Sequence, residues 1–422
     1  MKTRYLDSRK ASLGILISMM MSYTFLCLTR NCFSSAMVFI VDEGLLTKFE
    51  TGVITAMFYV AYSVMQIVGG VVIDKINPER FITIGLLGAA LSNTVIYFNQ
   101  NYVVMLLAWS FNAAMQFGVW PAVFKITSGF VREDMRENSL FIATLASPAG
   151  VVSSYVVAAI VSSKWQLNFM ISAIGLVVFA LIWELTFKLI KGQIIEKDLL
   201  SPDVDKTEEI GNRAVTANFG KMFFKSGLPI VLCLVFLRAM FDLGIKGMTP
   251  TMINESYESV TPVLATVMNI AVLVSGVIGI LIAHYSYPRF VKNEAAALVL
   301  FFALSLPFTF MTLFIGKIDY RIMVAFLAFI VMFMNSCTLF TTTYIATRFN
   351  KYGKGATVAG ILNASASLGI VLANTLFPGL ADLVGWHGTV IVWVVMMSVA
   401  MVLVIFYLPL WTKFLKGDWG RN

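Results

Sequence analysis

The sequence predicts an all-α membrane protein, with twelve transmembrane helices arranged as two pseudo-symmetric six-helix bundles. Three observations point there. First, of 422 residues 59% are hydrophobic and only 13% are charged, with a mean hydropathy of +0.83. Soluble domains hold about 45–50% apolar and about 25% charged residues. Too few polar side chains remain to cover a water-soluble core, which excludes a soluble enzyme, a nucleic-acid binder and a disordered chain. Second, apolar runs recur at lengths near the about 20 residues that carry a helix across hydrocarbon. Third, a single long polar stretch divides those runs into two equal sets.

The runs at 12–40, 52–73, 80–98, 102–126, 138–162 and 166–189 supply six spans, and those at 226–252, 260–284, 294–316, 321–346, 356–381 and 387–412 supply six more. None alternates in polarity over about 10 residues, as strands of a membrane barrel do. The opening MKTRYLDSRK holds Lys2, Arg4, Arg9 and Lys10 ahead of the first run, and no small-residue cleavage site follows. The run is therefore expected to be a retained span and not a removed signal. KGQIIEKDLLSPDVDKTEEIGNRA is too hydrophilic to cross. It sets the expected division: an N-terminal bundle over 1–190, a linker over 191–225 and a C-terminal bundle over 226–422.

Loops on the side of the linker and both termini carry most of the Lys and Arg; the opposite side holds Lys48, Lys164, Lys317 and Arg321. The positive-inside bias then places both termini in the cytoplasm of a multi-pass protein of the plasma (inner) membrane. The net charge of +8 is accounted for by this placement and needs no nucleic acid. Cys27, Cys32, Cys233 and Cys337 all fall inside apolar runs without metal-ligand spacing, and are expected as small buried residues. A faint repeat supports two similar halves. Gly69 precedes Pro78 in GGVVIDKINPER as Gly279 precedes Pro288 in GILIAHYSYPRF, and the same offset of about 210 residues carries Arg30 close to Arg238.

Ionisable groups deep in a membrane cost several kcal/mol and therefore call for an explanation. Arg30 falls near the middle of the first span with no carboxylate within two turns. Arg238, Asp242 and Lys246 follow one another at four-residue steps in the seventh span, so they share one helical face. A guanidinium that stays charged suits an anion with phosphate or carboxylate oxygens. Arg30, with Arg238 or Lys246, thus offers positive charge to an anion in a cavity between the halves. The alternative for the second group is that Arg238 and Asp242 neutralise one another across a turn.

CLTRNCFSSAMVFIVDEG, GGVVIDKINPER, QFGVWPAVFKI, REDMREN, GKGATVAGILNASASLG and GWHGTVIVW together resemble the organophosphate:phosphate antiporters, the glycerol-3-phosphate and hexose-phosphate exchangers of the major facilitator superfamily. The likeness covers nearly the whole chain. It implies two six-helix halves that alternate access to a central site, where a span-one and a span-seven arginine bind phosphate. Arg30 matches the first. Asp242 stands at the second, with Arg238 one turn before it and Lys246 one turn after, when Pro250 is taken as ending the helix as the family's proline does. Lys125 stands where an arginine is usual, and Ser147 where some members have histidine. The resemblance also implies a cytoplasmic gate closed by charge pairs among Asp74, Lys75, Arg80, Arg132, Glu133, Asp134 and Arg136; a solvated basic loop is the alternative.

Tyr23, Asn31, Gln116, Trp120 and Pro121 are candidate cavity residues or plain packing. Asn335, Ser336, Thr338, Thr341, Asn363, Ser365 and Ser367 are candidate polar contacts to cargo or between helices. Gly355, Gly360 and Gly369 suit close helix approach. No metal-ligand cluster, nucleophile–base pair or Walker-type phosphate loop occurs in the sequence, so neither an enzyme, a cofactor nor ATP drive is expected. The expected function is secondary transport of a small organic anion by a monomer in lipid, a phosphate ester exchanged for inorganic phosphate. Two alternatives stand beside it: a proton-coupled organic-anion symporter that titrates Asp242, and a transporter-like membrane sensor of sugar phosphates.

Overall fold

The computed structural model describes residues 8–72, 77–129, 131–197, 219–287, 293–349, 352 and 354–416. Among them the regular elements are helices and no strand occurs. In chain order these are α1 (Arg9–Arg30), α2 (Cys32–Asp42), α3 (Lys48–Val72), α4 (Pro78–Phe98), α5 (Tyr102–Gln116), α6 (Val119–Gly129), α7 (Glu133–Ile160), α8 (Leu167–Lys197), α9 (Phe219–Lys225), α10 (Leu228–Ser256), α11 (Pro262–Ser286), α12 (Glu294–Met311), α13 (Tyr320–Leu339), α14 (Ile345–Arg348) and α15 (Gly355–Leu415). A five-residue π-helix, Phe340–Tyr344, joins α13 to α14.

Eight stretches among the described residues are long and apolar enough to cross a bilayer, and Tyr102–Gln116 and Ala146–Ile160 are shorter apolar helices. The expected first span is two helices, α1 and α2, parted at Asn31. The last two expected spans are the two helical halves of α15, parted at Gly385, whose φ of 71° no β-carbon residue adopts cheaply. Start signals are local. Asn101, Asn293 and Asp319 each accept a hydrogen bond from a first-turn backbone N–H of the helix they precede, which satisfies one of that helix's orphan donors. The outward face of α8 is apolar: Ile174, Leu181, Leu185 and Leu189 are all more than half exposed. Such an exterior belongs in hydrocarbon, where the helix satisfies its own backbone.

The chain folds as two compact units, Met1–Leu46 with Val53–Gly211, and Thr47–Gly52 with Asn212–Asn422. In the N-terminal unit α1 packs along α7 and α8, and α4 packs against α5, α6 and α8. Two apolar cores fill it, one around Met19, Leu26, Leu86 and Trp183 and one around Phe33, Phe58, Trp109 and Phe169. In the C-terminal unit α10 packs along α15 and α11 along α13, while α12 touches both α13 and α15.

Three sequence expectations are corrected here. Pro250 does not end its helix, because α10 continues to Ser256. Proline removes the N–H that would bond the carbonyl four residues back, here that of Lys246. The Asn269 side chain of α11 supplies the missing donor, its Nδ2 lying 2.9 Å from the Lys246 oxygen. Cys233 is exposed, while Cys27, Cys32 and Cys337 are buried; on a helix in lipid an apolar position need not be covered by protein. Of the small residues, a β-carbon at Gly369 would collide with the Phe236 carbonyl of α10, whereas Gly360 has open space around it.

Candidate functional site

In the N-terminal unit the site is built at the break between α1 and α2. The Asn31 side chain donates to the Cys27 carbonyl at 2.8 Å, and its backbone N–H bonds Leu28, three residues back, at 3.0 Å. A side chain that serves its own preceding turn competes with the regular ladder. The α-helix ends there, and Arg30 is its last residue. Arg30 Nε donates to Gln116 Oε1 of α5 at 3.1 Å, and the guanidinium carbon lies 4.9 Å from the Tyr62 ring centroid. Its NH2 nitrogen is buried without a hydrogen-bond partner. Among the described residues no carboxylate lies within ion-pair distance of Arg30.

Gln116 is held in turn. Its Nε2 donates to Asn112 Oδ1, and Asn112 Nδ2 donates to the Ala89 carbonyl at 3.3 Å. One turn N-terminal of Arg30, Cys27 contacts Ser147 and Tyr23. Tyr23 packs against Trp120 with ring centroids 5.3 Å apart. Thus Arg30, Gln116, Asn31, Tyr23, Trp120 and Ser147 fall in one neighbourhood of one unit. The side chain of Pro121 lies outside the described residues.

In the C-terminal unit Arg238, Asp242 and Lys246 do share a face of α10, turned toward α13. The pairing differs from mutual neutralisation of Arg238 and Asp242. Lys246 Nζ meets Asp242 Oδ1 at 2.5 Å and donates to Asn335 Oδ1 at 3.2 Å. Asn335 Nδ2 closes the triangle on Asp242 Oδ1. Arg238 is 6% exposed, donates from NH1 to Thr338 Oγ1 at 2.6 Å, and keeps a buried Nε without a partner. The choice follows from direction: side chains on a helix lean toward its N-terminus, so the longer Lys246 chain reaches back to Asp242, while Asn335 offers that pair both an acceptor and a donor. The cluster therefore holds two cations against one anion. Asn363 is exposed on α15 and joins neither group.

The gate residues are only partly placed. Asp74 and Lys75 lie outside the described residues, as does the side chain of Arg136. Arg80 is exposed on α4. Arg132 pairs with Asp134 two residues on, Nε to Oδ1 2.7 Å, with both side chains over a third exposed.

Three features escaped the sequence. Tyr62 and Asn112 complete the surroundings of Arg30, but an aromatic or an amide inside an apolar run reads as filler until its rotation is known. Lys48 pairs with Glu255 at 2.9 Å and Asp382 at 3.2 Å, joined by Trp386 Nε1 on the same Glu255 oxygen. Glu294, fully buried, accepts from Arg348 Nε at 2.6 Å, Tyr287 Oη at 2.7 Å and Trp411 Nε1 at 2.9 Å. Its signal was a carboxylate opening an apolar run, with a basic residue closing the next. Among the described residues no cluster of three or more His, Cys, Asp and Glu side chains is arranged to hold a metal.

Residues 19–359 match the family model described as Major Facilitator Superfamily. The chain belongs to the major facilitator superfamily. Members of that family are multi-pass membrane proteins, in keeping with the long apolar helices of this chain. The membrane sensor protein UhpC of Salmonella typhimurium is 29% identical over 176 residues, which is 40% of each chain, so the match spans well under two thirds of that relative's length. A protein named Probable hexose phosphate transport protein from Chlamydia muridarum is 24% identical over 417 residues, 94% of this chain and 90% of the relative. Among solved structures, a bacterial homolog of the human lysosomal transporter Spinster superposes with a TM-score of 0.73 at 15% identity, covering 96% of this chain and 98% of that one. The nucleoside transporter NupG gives a TM-score of 0.66 at 14% identity over 95% and 98%. At such identities the two superpositions speak for the fold alone.

Proposed function

We propose that this facilitator exchanges a small phosphate ester for inorganic phosphate by alternating access, as a monomer in the inner membrane with both termini cytoplasmic. The observation that carries the reading is Arg30. A guanidinium with one N–H fixed on Gln116 and another nitrogen buried and unpartnered is short of an acceptor, and a phosphate oxygen is the charge-assisted acceptor it suits best. Tyr62, Tyr23 and Trp120 around it offer ring faces of the kind that pack against a sugar or glycerol carbon skeleton. The hexose phosphate transport proteins among the relatives support the same cargo class.

Counterflow in proteoliposomes tests it. With phosphate inside and no pH gradient, labelled hexose phosphate or glycerol phosphate is expected to enter, and Arg30→Ala is expected to abolish uptake while leaving the purified protein monodisperse. Uptake unchanged by Arg30→Ala overturns the reading.

The C-terminal cluster favours a second reading, proton-coupled symport of an organic anion. Asp242 is a carboxylate held by Lys246 and Asn335, and protonating it would release a lysine for cargo. Uptake that requires an imposed proton gradient and is lost in Asp242→Asn favours this reading over exchange. Binding of phosphate esters without flux favours a sensor, the role that UhpC's name states for that protein.

A further inference from the structure

We propose that the N-terminal unit also holds a membrane phospholipid, at a crevice separate from Arg30. The crevice lies between the first half of α1 and the start of α7 and has a volume of about 430 Å³, inside the about 300–1,000 Å³ range of small-molecule sites. Leu13, Leu16, Ile17 and Met20 form the α1 wall, and Met135 faces them from α7. The α1 residues recur at helical spacing, so they form one continuous stripe. Leu13 and Ile17 are 40% and 57% exposed, so the crevice opens outward and is not a sealed void. Methionine on both walls gives an adaptable lining. A small polyol phosphate would strand its hydroxyls against these walls, whereas an acyl chain fits them.

The rim commits the headgroup. Arg9, one turn before Leu13, and Asp134, one residue before Met135, both border the crevice, and both are exposed. A headgroup carrying only a phosphate uses the first and is repelled by the second. A zwitterionic aminophospholipid uses both, with phosphate on the Arg9 guanidinium and ammonium on the Asp134 carboxylate. The Arg132–Asp134 pair does not prevent this, since it engages one carboxylate oxygen at an exposed position. The occupant is therefore a phosphatidylethanolamine-like lipid, one acyl chain lying along α1.

Photolabelling of the full-length protein in phosphatidylcholine nanodiscs tests this. The probes are phosphatidylethanolamine and phosphatidylglycerol carrying the same diazirine acyl chain. The ethanolamine probe is expected to label peptides of residues 9–21 and 134–139, and the glycerol probe to label them about tenfold less, the worth of one charge-assisted contact. Arg9→Gln and Ile17→Trp, which fills the crevice, are each expected to reduce the ethanolamine adduct about tenfold, while Leu185→Trp on the outer face of α8 leaves it unchanged. Should Ile17→Trp fail to fold, Leu13→Phe takes its place. Equal labelling by the two probes, stronger labelling by phosphatidylglycerol, labelling of the Leu181–Leu189 face as strong as that of the crevice, or indifference to the filling substitution overturns the proposal.

Discussion

At the scale of single residues, the chemistry rests on how each charge is satisfied. Arg30 has an amide on one side, a ring on another and no described carboxylate near it; Lys246 has both a carboxylate and an amide. Lysine in place of Arg30 keeps the charge but loses the planar fork that meets two oxygens at once. Arg30→Lys is therefore expected to raise the apparent KM for phosphate about tenfold with little change in kcat, the loss of one charge-assisted bond. Uptake kinetics in proteoliposomes check it, and a loss confined to kcat contradicts it. Glu294 behaves differently, because its worth is structural. Three donors, from Tyr287 just after α11, from α14 and from α15, end on a carboxylate with no exposure. Glu294→Ala leaves the fully buried Trp411 Nε1 without an acceptor, and at about 1–3 kcal/mol for a buried unsatisfied group it is expected to lower the melting temperature clearly. Arg348→Ala is expected to lower it as well, since it leaves the fully buried Glu294 carboxylate without its cation. A thermal-shift comparison of the two variants with the unmodified protein in detergent checks both.

At the scale of elements, helix α10 shows why a proline can sit inside a span. The carbonyl of Lys246 that Pro250 leaves unbonded is taken by Asn269 from the next helix. Asn269→Ala is expected to cost about 1 kcal/mol, a typical buried hydrogen bond. In a Pro250→Ala background the backbone N–H returns to that carbonyl, and the same substitution is expected to cost less. A double-mutant cycle read by thermal unfolding gives the coupling; additive costs contradict the assignment. This compensation was not legible in the sequence. Pro250 was visible, but its rescue by a residue nineteen positions later depends on the rotation of α11 about its axis, which periodicity leaves open. The same limit explains the C-terminal cluster. Four-residue spacing put Arg238, Asp242 and Lys246 on one face, yet the choice of Lys246 as the partner of Asp242 came from Asn335 on α13. The apolar runs themselves were legible, because hydrocarbon imposes length and composition on any segment that crosses it. The break at Asn31 was not, being set by one side-chain bond, whereas the break at Gly385 falls in the gap between the last two apolar runs.

At the scale of the whole molecule, the charges bear on turnover. Each unit presents net positive charge from its central group: Arg30 alone in one, and Arg238 with the Asp242–Lys246 pair in the other. Moving such groups between aqueous and occluded surroundings without an anion costs several kcal/mol, because low dielectric penalises an uncompensated charge. A bound phosphate removes much of that cost. Under the proposed exchange the empty carrier therefore reorients slowly and the loaded one quickly. Release of labelled phosphate from proteoliposomes is expected to be about a hundredfold faster with phosphate outside than without, since about 3 kcal/mol of barrier corresponds to that ratio. Lys246→Met leaves Arg238 opposed by Asp242 and so removes the net charge of the C-terminal cluster. In that variant the dependence on external phosphate is expected to weaken, because less charge is left to be neutralised before the carrier moves. Release that is equally fast into phosphate-free buffer in the unmodified protein contradicts the exchange mechanism, whatever Arg30 binds.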